Sequence, residues 1–329
     1  MASTTLFTWG TAIDSLLATT LSNYRETMED NIYTALPLTH WLNSKGRKRT
    51  EDGGASLIVP LMTGKNTTAA WYSGYGTIAT TPQEGMLAAQ FKWAQLADSV
   101  TISGIEVRQN TDSKRLINLL KARTLQAETG LVDKLSQALW SSTQVTNAIV
   151  PLNLMVDATS TIGDINSTTQ AFWQATSTAS GSFAAQGISD MRVLYNTLSR
   201  YRANEHPDLV VGTQTIYESY ENATQAQLRY TDNKLADAGF EQLKFKGATF
   251  FFDENAISGQ LYMLNSKYLE LVADKEVNFT ASPWVKPDNQ DAKTSQILWY
   301  GAVTSSNRRT SGKLTAVTAS EHHSIGFQK

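Results

Sequence analysis

Cysteine is absent from the 329 residues, which removes disulfide frameworks, thiolate metal sites and cysteine nucleophiles together and fits a reducing compartment. Histidine is scarce. His40, His206, His322 and His323 are the full set, and none stands at HExxH or a comparable metal-ligand spacing. An excess of one charge is also missing: 28 basic residues against 30 acidic ones leave a formal charge of −2, too little to hold a polyanion by its field. No window approaches eighteen uninterrupted apolar residues, and the start, MASTTLFTWGTAIDSLL, has no basic n-region. The expectation is a protein with no membrane partner, made and kept inside the cell that synthesises it. GxSxG, GxGxxG and GxxxxGK[ST] do not occur, so nucleophile elbows and phosphate-cradling loops lose their usual signatures.

What is present is a globular composition. Hydrophobic residues make up 41%, with eight Trp and twelve Tyr, and a chain this long can bury a sizeable core without staples. Ile13, Leu16, Leu17, Leu21, Tyr24 and Met28 mark one face of an amphipathic helix over about 11–30. Beyond Pro37 comes a basic run, Lys45, Arg47, Lys48 and Arg49, followed at once by Glu51 and Asp52. Such a run can touch phosphates or act as a basic arm; with the acids beside it, ion pairing, local or between subunits, is the favoured reading.

The segment ASLIVPLM (55–62) has strand character, and its Pro60 suits an edge or a two-stranded ribbon. Next, GKNTTAAWYSGYGTIATTPQEG reads as a long exposed hairpin tip carrying Trp71, Tyr72 and Tyr75. A solvated loop has no core for three aromatics, so they are expected to pack on a neighbouring chain, the alternative being that the loop folds back on its own domain. Residues 87–107 read as one long strand. Residues 111–140 carry Leu116, Leu120, Thr124, Ala127, Leu131, Leu135 and Ala138 at helical spacing, predicting a helix of about thirty residues, roughly 45 Å. Gly130 inside it costs about 1 kcal/mol against Ala, which a close neighbour would explain.

After a Ser/Thr-rich stretch, Ile188–Ala203 reads as a helix with Met191, Leu194, Tyr195 and Leu198 on one face and Arg200 and Arg202 at its negative end. Then follow strand 209–212, helix 214–226, and strands over 245–252, 260–265, 268–272, 296–304 and 313–318. Asp253-Glu254 is read as a turn closing a strand rather than an acid/base pair, and His322-His323 as a tail.

The stretch Pro207–Leu271, PDLVVGTQTIYESYENA, the Arg229-Tyr230 turn, then KGATFFFDENAISGQLYMLNSKYLEL, resembles the subunit-clustering domain of tailed-phage major capsid proteins. With the arm, hairpin and long helix before it, the order of elements over nearly the whole chain resembles the HK97-like fold, an α+β class. That resemblance implies an N-terminal arm (1–50), an extended hairpin loop (51–90), a peripheral domain (91–144) with a spine helix, and a mixed α/β axial domain (145–290). Returning strands of the peripheral domain and a tail (291–329) would end the chain.

It also implies a structural protein without turnover or cofactor. Its partners would be itself, as pentamers and hexamers of an icosahedral shell, with a portal, scaffolding or decoration proteins, and double-stranded DNA held by enclosure. Contact candidates are the basic run and its acids, Lys65, and the three hairpin aromatics. Lys65 occupies the loop where some members crosslink Lys to Asn between subunits. The rival of the same fold is an encapsulin-like compartment shell; a small oligomeric binding module and an enzyme come after it.

Overall fold

The computed structural model of the chain describes residues 36–109, 113–200, 205–228 and 243–318. The expected helix over 11–30, Arg202, the Arg229-Tyr230 turn and His322-His323 lie outside them. By internal contacts the chain divides into two compact units. The first takes the described residues up to Gly54, Trp93–Pro151 and Glu270–Val303; the second takes Ala55–Lys92, Leu152–Leu269 and the described residues from Thr304 on.

In the first unit, strand Ala94–Ser103 runs antiparallel to Ala292–Ser305 over ten pairs, from Gly301↔Ala94 to Ala292↔Ser103. The second of these strands also carries Thr280–Ala281, and on its other side the sheet continues to Leu269–Asp274 and then Lys48–Glu51, the last pair parallel. The helix Ser113–Leu139, 27 residues, packs on strand Ala94–Ser103. Of the positions the spacing predicted, Leu120, Thr124, Ala127, Leu131 and Leu135 are buried and Ala138 is half-buried, with Glu128, Ser136 and Leu139 buried beside them, and across from them the strand buries Val100 and Ile102. A 3.6-residue period meets a two-residue period here, and each presents one apolar face.

The single strand expected over 87–107 is three pieces. It breaks at Lys92-Trp93 into Met86–Phe91 and Ala94–Ser103, and from Gly104 to Gln109 it is helical. The physical reason for the last change is a capping box: Ser103 Oγ accepts from Glu106 N at 3.2 Å and Glu106 Oε2 accepts from Ser103 N at 3.1 Å.

The second unit holds a six-stranded mixed sheet in the order 176–179, 312–315, 261–264, 209–212, 248–252, 244–245. Its central strands Leu209–Gly212 and Leu261–Leu264 are buried at every position, because both faces are covered. One face takes helices Ile188–Ser199 and Gln214–Leu228. Val210, Phe250, Leu261, Met263 and Leu314 meet Met191, Leu194, Leu198, Ile216 and Tyr220 there in one core.

The expected strand over 245–252 is a tight hairpin instead, since Lys246 and Gly247 both take positive φ (49° and 91°) between its two halves. The expected return of both last strands to one sheet is divided as well. Ala292–Ser305 joins the first unit's sheet, whereas Gly312–Thr315 inserts between 261–264 and 176–179 in the second. Likewise, of the residues expected as one axial segment, Glu270 to 290 pack in the first unit.

Candidate assembly surface

The second unit also carries a long hairpin. Leu57–Met62 pairs antiparallel with Met86–Phe91, from Leu57↔Phe91 to Met62↔Met86, so Pro60 sits in a two-stranded ribbon as its missing N–H requires. Alternation gives the ribbon two faces. Leu57, Leu61, Ala89 and Phe91 are buried; Ile58, Met62 and Met86 are 62%, 75% and 86% exposed, an apolar face that the described residues leave uncovered.

Beyond the ribbon the two arms are tied by Thr63 N donating to Gly85 O at 2.8 Å and by Thr67 Oγ1 donating to Gln83 Oε1 at 2.9 Å. An Asx turn at Asn66, whose Oδ1 accepts from Thr68 N, shapes the near arm. At the tip Gly76 N bonds back to Ser73 O at 2.7 Å. Around this turn Trp71 and Tyr75 are fully exposed and Tyr72 is 67% exposed. The loop does not fold back over its aromatics. Lys65 is exposed on the near arm and borders a cleft of about 450 Å³ whose other wall includes Phe172, Tyr268 and Arg309.

The basic run lies in the first unit. Lys45 is exposed, its N–H closing the helix Pro37–Ser44 on Trp41 O. Arg47, Lys48, Arg49 and Glu51 continue into the parallel edge strand, where Arg47 O accepts from Leu271 N. Arg49 reaches Glu51 at 3.2 Å and Glu270 at 3.6 Å, and Asp52 meets Lys275 at 3.5 Å. Much of this charge is therefore matched within one chain, by exposed pairs worth at most about 1 kcal/mol each. Asp253 is a turn residue, its Oδ1 accepting from Asn255 N. His206 stacks on Tyr195 and bonds Ser199 Oγ at 2.8 Å.

One polar cluster was not singled out by the sequence at all. Arg308 is 1% exposed. Its Nε donates to Met155 O (2.7 Å), its Nη1 to Ser167 Oγ (2.5 Å) and Ser160 O (3.4 Å), and its Nη2 to Leu154 O, Asp157 O and Ser160 Oγ. The guanidinium also lies over the Trp173 ring, 5.7 Å from its centre. Burial draws its pKa down to about 10, with Asp157 pulling the other way, so it stays charged at neutral pH.

Beside it, Lys313 projects from the sheet face opposite the helices, in register with Tyr262, and bonds Asn153 O, Asn153 Oδ1 and Asp157. The run SSNRRTSG holding Arg308 reads as an ordinary polar loop. Only the fold turns one of its two arginines inward.

No family model matches the chain, and no curated protein matches it in sequence. Solved structures do. The capsid asymmetric unit of cyanophage A-1(L) is 12% identical with a TM-score of 0.60, over 83% of this chain and 90% of that one. The capsid of an empty GTA particle is also 12% identical, with a TM-score of 0.57 over 83% and 89%. A chain of Mycobacterium phage Adephagia is 14% identical, with a TM-score of 0.53 over 85% and 91%. The long hairpin, the long helix against a returning strand pair, and the separate mixed sheet together make this an α+β chain with the HK97-like fold of phage major capsid proteins.

Proposed function

We propose that the chain is the major capsid protein of a tailed phage, self-assembling into pentamers and hexamers of an icosahedral head that encloses double-stranded DNA. The observation that carries this reading is the hairpin tip, where, among the described residues, Trp71 and Tyr75 find no cover and Tyr72 stays 67% exposed. An aromatic side chain buries about 150–250 Å². At about 25 cal/mol per Å², three of them covered by a neighbour give roughly 11–19 kcal/mol gross, from which ordering and association costs are subtracted. A contact of that size makes assembly the event that stabilises the hairpin.

In this reading residues 1–50 are an arm reaching a neighbour, and 51–90 are the extended loop. The first unit with helix Ser113–Leu139 is the peripheral domain, and the second unit's sheet is the axial domain that clusters around the capsomer centre. The pairs at Arg49 and Asp52 hold the arm's exit while Lys45, Lys48 and Lys65 face adjoining subunits. A portal completes the shell, scaffolding or decoration proteins act at its surfaces, and assembly takes place in the host cytoplasm. The near-neutral net charge fits DNA held by enclosure.

Size-exclusion chromatography with light scattering on the purified full-length chain, followed by negative-stain electron microscopy of the large fractions, tests this. Closed shells or five- and six-fold rings are expected. A persistent 36.2 kDa monomer at high concentration, with a candidate scaffold added, would refute it.

A further inference from the structure

Between the polar cluster at Arg308 and the long hairpin stands a second, much smaller hairpin. Strands Thr161–Ile162 and Ile165–Asn166 are joined by Gly163-Asp164, both at positive φ (63° and 61°), a two-residue turn whose twist suits paired strands. Both ends of its base are tied to one side chain: Ser160 before it and Ser167 after it each bond the Arg308 guanidinium, and Ser167 Oγ donates to Ser160 O at 2.7 Å. Its flank is held by Trp173 Nε1 donating to Ile162 O at 2.9 Å.

The turn of this small hairpin abuts the long one. Gly163 O accepts from Gln90 N at 3.0 Å, and a Cβ placed on Gly163 would stand 2.8 Å from Ala89 Cβ. The other strand of the long hairpin, from Pro60 to Met62 and on to Lys65, borders the open cleft of about 450 Å³. The long hairpin therefore has a close backbone contact at Ala89-Gln90 on one strand, while the outer part of the other, from Pro60 to Lys65, borders open space.

We propose that the small hairpin Thr161–Asn166 is a prop that sets the angle at which the long hairpin leaves the second unit, with Gly163 as the point of contact. Arg308 makes the prop stiff by saturating its base. Gly163 makes the contact close, because any side chain there pushes directly on Ala89. The prop acts in a single chain; only its consequence for shell geometry rests on the proposed function.

The absence of cysteine makes the angle directly measurable. Spin labels at Tyr75→Cys on the tip and Val193→Cys on the exposed side of helix Ile188–Ser199 report one intrachain distance by double electron–electron resonance, with labelled chain diluted into unlabelled chain. Gly163→Ala is expected to shift the mean distance by roughly 5 Å, since extended chain at about 3.3 Å per residue forms a long lever. Adding Ala89→Gly to it removes the overlapping methyl and is expected to restore the original distance, which relief of backbone strain alone would not do. An unchanged distance in folded Gly163→Ala, or a shift that Ala89→Gly leaves in place, overturns the proposal. Should Gly163→Ala fail to fold, Gln90→Pro deletes the single N–H to Gly163; a broadened distribution supports the prop and an unchanged one overturns it. Particle formation is scored separately, so a failed shell reading and a failed prop give different results.

Discussion

Lys313 Nζ and Asp157 Oδ1 stand 3.3 Å apart, with the lysine side chain 5% exposed and the carboxylate side chain 25% exposed. Lys313 enters from the sheet and Asp157 from the segment that also wraps Arg308, so the pair joins two parts of the second unit that are far apart in sequence. Desolvation by itself would raise the Asp157 carboxyl. The N–H and hydroxyl of Thr159 and the Lys313 ammonium outweigh it and hold the carboxyl below its ordinary 3.8.

A lowered folded-state pKa stabilises above the unfolded value and is lost as pH falls through the folded one. Stability from Asp157 should thus be constant above about pH 5 and decline below about pH 4. Asp157→Asn should cost about 2 kcal/mol at pH 7, less than the 3–5 of a fully buried pair because the carboxylate reaches solvent. Urea midpoints from pH 3 to 7 check both. A variant whose acid limb is as steep as the parent's would show that Asp157 is not the titrating group.

Arg308 is a test of geometry rather than charge. Arg308→Met leaves buried acceptors without donors and should lower stability by about 3–5 kcal/mol. Arg308→Lys keeps the cation but not the planar fork, and should recover less than half of that loss. Denaturant midpoints decide it: full recovery by lysine would mean that charge alone holds the cluster.

Gly130 lies in the long helix with Asp98 Oδ2 at 3.4 Å from where a Cβ would be. That is contact without overlap, and the neighbour is the end of a flexible side chain. Gly130→Ala should therefore stabilise, by about 0.5–1 kcal/mol from helix propensity. A fall in thermal midpoint would show that strand Ala94–Ser103 cannot yield.

Among the described residues the tip aromatics lie outside any core, so replacing Trp71, Tyr72 and Tyr75 together by Ser should change folding stability by less than about 0.5 kcal/mol per site. Particle yield, read by light scattering, should collapse. Shells formed at parental yield would remove the tip from the assembly surface.

Local pattern carried far in this chain. The faces of helices Ser113–Leu139 and Ile188–Ser199, the strand Leu209–Gly212, the ribbon around Pro60 and the exposure of Trp71, Tyr72 and Tyr75 were all legible, because each depends on a period or a composition within one segment. The break of residues 87–107 was not, since apolar alternation runs through it and the Ser103–Glu106 box is two residues in a polar patch. Sheet membership was not legible either. Strands Ala292–Ser305 and Gly312–Thr315 look alike in sequence, and their different sheets follow from partners distant in the chain.

The candidate contacts divide in the same way. Sequence marked the basic run by its charge and the hairpin by its aromatics, whereas the matching of Arg49 and Asp52 by Glu270 and Lys275 needed the parallel strand pairing to bring them together. Arg308, Lys313 and Gly163 carried no mark at all: an arginine and a glycine in polar loops and a lysine on a short strand are ordinary until burial, register and a close backbone approach give them work. By itself the sequence determined the elements and which of their faces are apolar, since those depend on neighbours a few residues away. The tertiary structure alone decided which strands share a sheet, which cation is buried and what the small hairpin leans on, because those are set by contacts between residues far apart along the chain.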